Sequence, residues 1–243
     1  MEIDVAVSKI NKTGTPESSD SIEIMERPLG GLSIVMSNVL GQGIDKKAIS
    51  GAIVRKVIGW IGEGIRDGAA ARAASDYLFT EYKGNITACM NIISFDKQSG
   101  TIVVTRNNPS PIFIYRGEEI NYLSGQSYCI GSSQNIRPLI SEIPLTPNTL
   151  LVLYSIGVEN AGKSIGQEFD GVMLVRSLLD EQDPTAQEIT NTLLQEAIRM
   201  DQNSPKEDMT IVAARLLPGA GKNIRKMSVS YPFSTKSDDS ALI

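Results

Sequence analysis

The order of the predicted strands and helices constrains the fold of this chain more than any other feature of its sequence. Six segments with strand-like apolar patterns follow one another between residues 86 and 154, and turn residues separate several of them. Because helices do not alternate with these strands, the order does not fit a βαβ fold. The six segments are Ile86–Phe95, Thr101–Arg106, Ile112–Tyr115, Ile120–Leu123, Leu139–Ile143 and Thr149–Tyr154.

Helical and further strand patterns lie on both sides of this stretch. Apolar residues spaced by three and four predict a helix after residue 43 that frays near Gly62–Gly64, and a second helix follows. The order predicts an α+β fold, an αββα sandwich in which helices cover antiparallel sheets. The other predicted elements are a strand at 3–10, a hairpin at 20–37, helices at 69–82, 170–181 and 185–200, and a strand at 209–216.

Length and local composition predict how the chain divides. The chain has 243 residues, and a single domain over residues 1–217 holds all the predicted elements. Pro218–Gly221 has the composition of a linker. Residues 218–243 are rich in serine and lysine, with one short apolar patch at Val229–Phe233, and we expect them to form a mobile C-terminal tail.

Composition excludes several kinds of chemistry and partner. The chain has no histidine, so it has no Ser-His-Asp or Cys-His nucleophilic site and no His-ligated zinc. Its net charge of −5 argues against nucleic acid or an anionic membrane as a partner. The acidic N-terminus does not resemble a signal peptide, and the strongly apolar run Leu150–Tyr154 is too short to span a bilayer. We therefore expect a cytoplasmic protein.

The two cysteines, Cys89 and Cys129, lie in apolar segments that resemble strands. In a reducing compartment, small buried hydrophobic side chains are a more common role for such residues than a disulfide or a nucleophile. The sequence predicts that both are buried and unpaired.

Carboxylates at strand boundaries are the candidate site residues. Asp20 precedes one predicted strand, and Glu207 and Asp208 precede the last one. Together they could share a hard cation such as Mg²⁺ or Mn²⁺, although solvated turn residues are common at such positions. The Gly41-Gln42-Gly43 turn is not a dinucleotide-binding motif, because Lys46 stands where a third glycine is needed.

Five short motifs, in order along the chain, carry a family resemblance. They are Ser19-Asp20-Ser21, Ser37–Gly43, Arg106–Gly117, Leu150–Val158 and Glu207–Thr210. This series resembles the PPM-type, metal-dependent Ser/Thr protein phosphatases, in the bacterial branch typified by the stage II sporulation E phosphatase domain. The resemblance covers about residues 4–217. It implies a site in which aspartates hold two divalent cations, Mn²⁺ or Mg²⁺, that activate a water for attack on phosphoserine or phosphothreonine.

The family's ligand positions carry over only in part. Asp20 and Asp208 keep family aspartates, and Glu207 replaces the first aspartate of the closing pair. The other positions have lost their ligands: Asn38 replaces the bridging aspartate, Val39 the following glycine, and Ile156 the aspartate of an Asp-Gly pair. An amide offers one neutral oxygen where a carboxylate offers two anionic ones, and isoleucine offers none. We predict that a normal two-metal centre does not form and that metal is absent or weakly bound.

Three functions remain open from the sequence. The first is a degenerate phosphatase homologue that acts as a regulatory or binding module in bacterial signalling. Its partner would be a phosphoprotein or a regulatory protein, such as the anti-sigma-factor antagonists that the resemblance implies. The second is an active phosphatase with rearranged ligands, in which Asp20, Glu207, Asp208 and Glu159 hold one cation. The third is a structural or oligomerisation unit that uses the helices of residues 44–82 or the tail.

Overall fold

The computed structural model describes residues 1–41, 45–117, 119–123, 125–219 and 225–232. It contains ten strands within these ranges: β1 (Glu2–Ile10), β2 (Ser21–Glu26), β3 (Gly31–Leu40), β4 (Thr87–Asp96), β5 (Thr101–Asn107), β6 (Ile112–Arg116), β7 (Glu119–Leu123), β8 (Leu139–Pro144), β9 (Thr149–Tyr154) and β10 (Met209–Leu217). The α-helices are α1 (Lys46–Gly62), α2 (Asp67–Tyr82), α3 (Ile156–Glu159), α4 (Gly171–Glu181) and α5 (Ala186–Met200).

The strands form two five-stranded sheets that pack face to face. The first sheet has the order β1-β10-β9-β6-β7, and the second has the order β2-β3-β4-β5-β8. Every pairing is antiparallel. Alternate residues of the central strands point between the sheets, where Ile34, Ile93, Val104, Leu151 and Val212 form the buried interior.

A helical layer covers the outer face of each sheet. Helices α1 and α2 pack on the second sheet, where Val35 and Ile92 meet the fully buried Ile53 and Val57 of α1. Helix α5 packs on β1 and β10 of the first sheet. A capping box fixes the start of α5, because Thr185 and Glu188 each bond to the other's backbone N–H. The predicted α+β, αββα architecture is confirmed.

Most predicted elements agree with the structure to within a few residues. Strand β3 is longer than predicted and continues beyond Ser37 to Leu40, because all ten of its residues find partners on β4. Helix α1 ends at Gly62, where the glycines predicted fraying. The sequence analysis missed α3, a single turn that is too short to show a helical period. Among the described residues, no helix is both long and apolar enough to cross a membrane.

The prediction that Cys89 and Cys129 are unpaired is wrong. The structure joins them in a disulfide with a Cα–Cα distance of 4.5 Å. The neighbouring residues Ala88 and Ile130 form an isolated antiparallel bridge, with N–O distances of 3.0 and 2.8 Å, which brings the two cysteines opposite each other. Cys89 is buried as predicted, whereas Cys129 is only partly buried. The pairing joins residues 40 positions apart, so local apolar patterns gave no indication of it.

Two predicted segments lie partly outside the described residues. These are the turn at Gly41–Gly43, of which only Gly41 is described, and the C-terminal tail at residues 218–243. Residues 225–232 of the tail have no helix or strand. The division into a domain over residues 1–217 and a tail stays a prediction.

Candidate functional site

Strand ends from both sheets meet at one end of the sandwich. The register of β2 with β3 pairs Ser21 with Ser37, so Asp20 lies beside Asn38. On the first sheet, the amide of Ser155 donates to the carbonyl of Thr210 with an N–O distance of 2.9 Å. The fold therefore brings the first, second, fourth and fifth motifs of the sequence to the same place.

Asp20 joins the two sheets through its carboxylate. Its Oδ2 accepts a hydrogen bond of 2.7 Å from the Thr210 hydroxyl on the first sheet. Its Oδ1 accepts one from the Asn38 side-chain amide on the second sheet. Asp20 is fully buried, and Oδ1 of Asn38 has no hydrogen-bond partner within the described ranges. The carboxylate that the resemblance marks as a metal ligand is here held between two protein donors.

Burial is the main influence on the protonation of Asp20. It raises the pKa of the carboxyl, while the hydrogen bonds from Thr210 and Asn38 oppose this rise. The charge of Asp208 raises the pKa of Asp20 further. Two ammonium groups, those of Lys9 and Lys47, donate to the backbone carbonyl of Asp20 at 2.9 and 3.5 Å rather than to its carboxylate. Burial also lowers the pKa of Lys9.

The raised pKa of Asp20 predicts a pH-dependent stability. A group whose pKa is higher in the folded than in the unfolded state stabilises the fold below its unfolded value, 3.8. That stabilisation is lost as pH rises through the folded pKa. We expect the stability of Asp20→Asn, measured by urea denaturation, to increase relative to wild type as pH rises from about 4 to 8. The unpartnered Oδ1 of Asn38 can accept from the new amide once the Asn38 side chain flips.

Thr210→Val provides the matched comparison. It removes the hydrogen bond that favours the ionised carboxylate, so its loss of stability should be largest at high pH. In the Asp20→Asn background the effect of Thr210→Val should no longer change with pH over this range. A constant stability difference between wild type and Asp20→Asn at all pH values would contradict the assignment.

Asp208 and Glu207 do not join Asp20 in a carboxylate cluster. Both carboxylate oxygens of Asp208 hold the loop between β1 and β2, accepting from the amides of Lys12 and Ser19 at 2.8 Å each and from the Ser19 hydroxyl. Glu207 is exposed and accepts from the Asn160 side chain at 3.3 Å. Glu159, the fourth candidate ligand, accepts from the Ser110 hydroxyl instead.

Two apolar side chains occupy the remaining positions that the resemblance implies for metal ligands. Val39 is buried and packs with the core beneath α1 and α2, on the face of β3 opposite Asn38. Ile156 begins α3 directly after Ser155. The next residue, Gly157, lies against the start of β10, where a Cβ would stand 2.1 Å from the carbonyl oxygen of Asp208. Close packing therefore requires this glycine whether or not metal binds.

These residues do not fit a two-cation centre. Asn38, at the position that the resemblance assigns to a bridging aspartate, carries an amide whose N–H group points at Asp20, and Ile156 supplies no donor atom. Within the described residues, no three His, Cys, Asp or Glu side chains form a group that could hold a metal ion. The sequence analysis assigned no role to Thr210, Ser155 or Lys9. Thr210 and Ser155 lie within the resembling motifs, whereas nothing in the sequence indicated Lys9.

Comparison with known proteins identifies the family. The model of the stage II sporulation protein E (SpoIIE) family matches residues 28–217. The chain belongs to the SpoIIE family. The SpoIIE protein of Priestia megaterium is 22% identical over 214 residues, which are 88% of this chain and 36% of that protein. The SpoIIE protein of Bacillus subtilis strain 168 is 22% identical over 205 residues, or 84% of this chain and 24% of that protein. The chain thus spans about a third or less of the length of these relatives.

Solved structures show the same fold. The PP2C phosphatase domain of SpoIIE from Bacillus subtilis, solved with a fragment of its regulatory domain, matches with a TM-score of 0.73 and 21% identity, over 89% of this chain and 64% of that one. The Mycobacterium tuberculosis serine/threonine phosphatase PstP/Ppp matches with a TM-score of 0.69 and 13% identity, over 89% and 99%. The chain has the PPM, or PP2C, phosphatase fold, in a family of phosphatases that generally use Mn²⁺ or Mg²⁺.

Proposed function

We propose that this SpoIIE-family domain is catalytically degenerate and acts as a regulatory or binding module. One observation carries the proposal: the amide of Asn38 donates to Asp20 at the position where the family has a carboxylate that bridges two cations. A donor directed at a metal ligand occupies the oxygen that a cation would need. The interaction keeps Asp20 hydrogen bonded without any metal.

The charge at this end of the sandwich also disfavours two dications. Two dications carry four positive charges, while Asp20, Glu207 and Asp208 supply at most three negative ones. The carboxylate of Asp208 already binds the loop before β2, so a metal would have to compete with three hydrogen bonds. Loss of even an outer-shell partner commonly lowers metal affinity by about 10–100-fold, and two inner ligands are missing here.

The hydrogen-bond network supports a binding role. Because Thr210, Asp20 and Asn38 link the two sheets directly, the strand ends stay joined without cations. The same end can therefore present a preformed surface to a protein. We propose a phosphoprotein or regulatory protein as the partner, in bacterial signalling and without nucleic acid. Two arguments support this class of partner. The first is the family resemblance, and the second is that a phosphatase-like surface without catalysis could bind a phosphoprotein and not hydrolyse it.

A turnover assay tests the loss of catalysis. We expect no metal-dependent release of phosphate from phosphoserine or phosphothreonine peptides at saturating Mn²⁺, relative to the matched variant Asp20→Asn. The phosphatase domain of Bacillus subtilis SpoIIE is the comparison protein under the same conditions. Calorimetry with Mn²⁺ should show no tight binding of two ions. Metal-dependent turnover that Asp20→Asn abolishes would overturn the proposal and support an active enzyme with rearranged ligands.

A further inference from the structure

One side of the sandwich is incompletely covered. β1 and β2 are edge strands of their sheets, and the Lys9 ammonium at the end of β1 reaches the Asp20 carbonyl before β2, so the two edges lie side by side. Their inward apolar side chains are only partly buried, whereas Ile34 and Met36 of the neighbouring β3 are 2% and 3% exposed. The partly buried residues are Ile3, Val5 and Val7 of β1 and Ile22 and Ile24 of β2. We call this surface the seam.

Residues 225–232 have the pattern of a strand that lacks a partner. Met227, Val229 and Tyr231 are 71%, 89% and 70% exposed, and serines at 228 and 230 separate them. Such alternation places all three apolar side chains on one face of an extended chain. Within the described parts of the chain, the segment belongs to no sheet and makes no backbone hydrogen bond outside regular structure. An exposed apolar face of this kind indicates a surface that something covers.

Two contacts bring this segment to the seam. After β10, Gly219 passes so close to the start of β1 that a Cβ there would lie 2.4 Å from the Met1 nitrogen. Further along, the guanidinium of Arg225 pairs with the carboxylate of Glu26 at the end of β2. The chain therefore leaves the first sheet and reaches the free edge of the second at the end where an antiparallel strand would start.

We propose that residues 225–231 pair with β2 as a sixth, antiparallel strand that closes the seam. With Arg225 opposite Glu26, this register sets Met227 opposite Ile24 and Val229 opposite Ile22, on the inward face. Ser228 and Ser230 then face outward, and a slip by one residue would turn them into the apolar interior. Pro232 follows the last paired residue, so its missing N–H removes no hydrogen bond between the two strands.

The free energy gained by burial and hydrogen bonding is opposed by the loss of conformational entropy, so we expect the pairing to be reversible. It buries Met227 and Val229 and supplies hydrogen bonds to the free edge of β2, but it must fix the conformation of seven residues that are otherwise exposed and outside any sheet. It also removes an exposed sheet edge, which is a common site of unwanted strand pairing. The paired strand would end with Tyr231 opposite Asp20, next to the candidate site. The proposal does not depend on whether the domain hydrolyses phosphate esters.

Hydrogen exchange tests whether the segment covers β2. We expect the β2 amides that point away from β3 to exchange about ten-fold faster or more in the full chain carrying Met227→Ser and Val229→Ser, because the variant loses the buried contacts. The matched control, Ser228→Ala with Ser230→Ala, changes the outward face and should leave the exchange rates at their wild-type values. Equal rates in wild type and in the Met227→Ser, Val229→Ser variant would overturn the proposal.

Cysteine trapping tests the register and the source of the strand. Ile24→Cys with Met227→Cys places two thiols opposite each other at a distance that suits a disulfide, whereas Ile24→Cys with Ser228→Cys places them on different faces. After mild oxidation, peptide mass spectrometry should find an intrachain cross-link in the first pair and at most a trace in the second. A cross-link between two chains would overturn the intrachain assignment in favour of a second copy. Equal cross-linking of both pairs, or of neither, would also overturn the proposal.

Discussion

Replacing Arg106 with alanine is expected to lower the free energy of unfolding by about 2–4 kcal/mol. Arg106 is 1% exposed and lies near the end of β5, on the face between the sheets. Its guanidinium donates to the backbone carbonyls of Ser110 at 3.2 Å, Leu123, and Gly125 at 3.3 Å. Removing it leaves buried acceptors without donors and opens a cavity, and both effects destabilise the fold.

Denaturation with urea, followed by circular dichroism, measures this effect. Arg106→Lys keeps the positive charge but loses the planar fork of donors, so its unfolding midpoint should fall between those of wild type and Arg106→Ala. Arg199→Ala is the matched surface control, since Arg199 is exposed and, among the residues that the structure describes, its ion pair is with Glu196 one turn earlier. We expect no measurable change there. If Arg106→Ala unfolded at the same urea concentration as wild type, the three carbonyl contacts would not stabilise the domain.

Restoring two family carboxylates should create metal affinity. In the double variant Asn38→Asp and Ile156→Asp, the apparent affinity for Mn²⁺ is expected to rise by about 100-fold or more over wild type, because two inner ligands return. The first change also removes the amide that donates to Asp20. Like charges should then destabilise the metal-free variant, and Mn²⁺ should raise its melting temperature in proportion to binding.

Titration calorimetry and thermal denaturation with and without Mn²⁺ measure the two effects. The matched control pairs Asn38→Asp with Ile165→Asp, which adds the same charge at an isoleucine that is 45% exposed on a separate helical turn. That control should gain much less affinity than the double variant. If the double variant binds Mn²⁺ no better than wild type, Asn38 and Ile156 do not occupy the family's ligand positions.

Local patterns predicted most of the fold because burial repeats within each element. Strand β9 is apolar from Leu150 onward and is buried on both faces, and α5 shows its apolar spacing and its capping residues within a few positions. Only a few layered folds are compatible with the order of these elements. Helix α3 escaped prediction because a single turn has no period, although the Ser-Ile-Gly-Val motif marked its place.

The candidate site could be located from the sequence but its contacts could not. The motifs placed Asp20, Asn38, Ile156, Glu207 and Asp208 at strand boundaries, and the identities of Asn38 and Ile156 already predicted the loss of ligands. Which partner each remaining carboxylate takes depends on how the two sheets stack. Thr210, for example, lies 190 residues from Asp20 along the chain. The sequence assigned these residues to one site. The stacking of the sheets places the carboxylate of Asp208 where it binds the loop between β1 and β2.

By itself, the amino-acid sequence determined most of the elements, the family resemblance and the residue types at the ligand positions that the resemblance implies, because each depends on residue identity or on a short repeat. Only the tertiary structure decided the pairing of Cys89 with Cys129 and the bond from Thr210 to Asp20. These contacts depend on the register between strands that are distant in sequence. A local pattern specifies which face of a strand is buried, but not which distant strand end lies beside it.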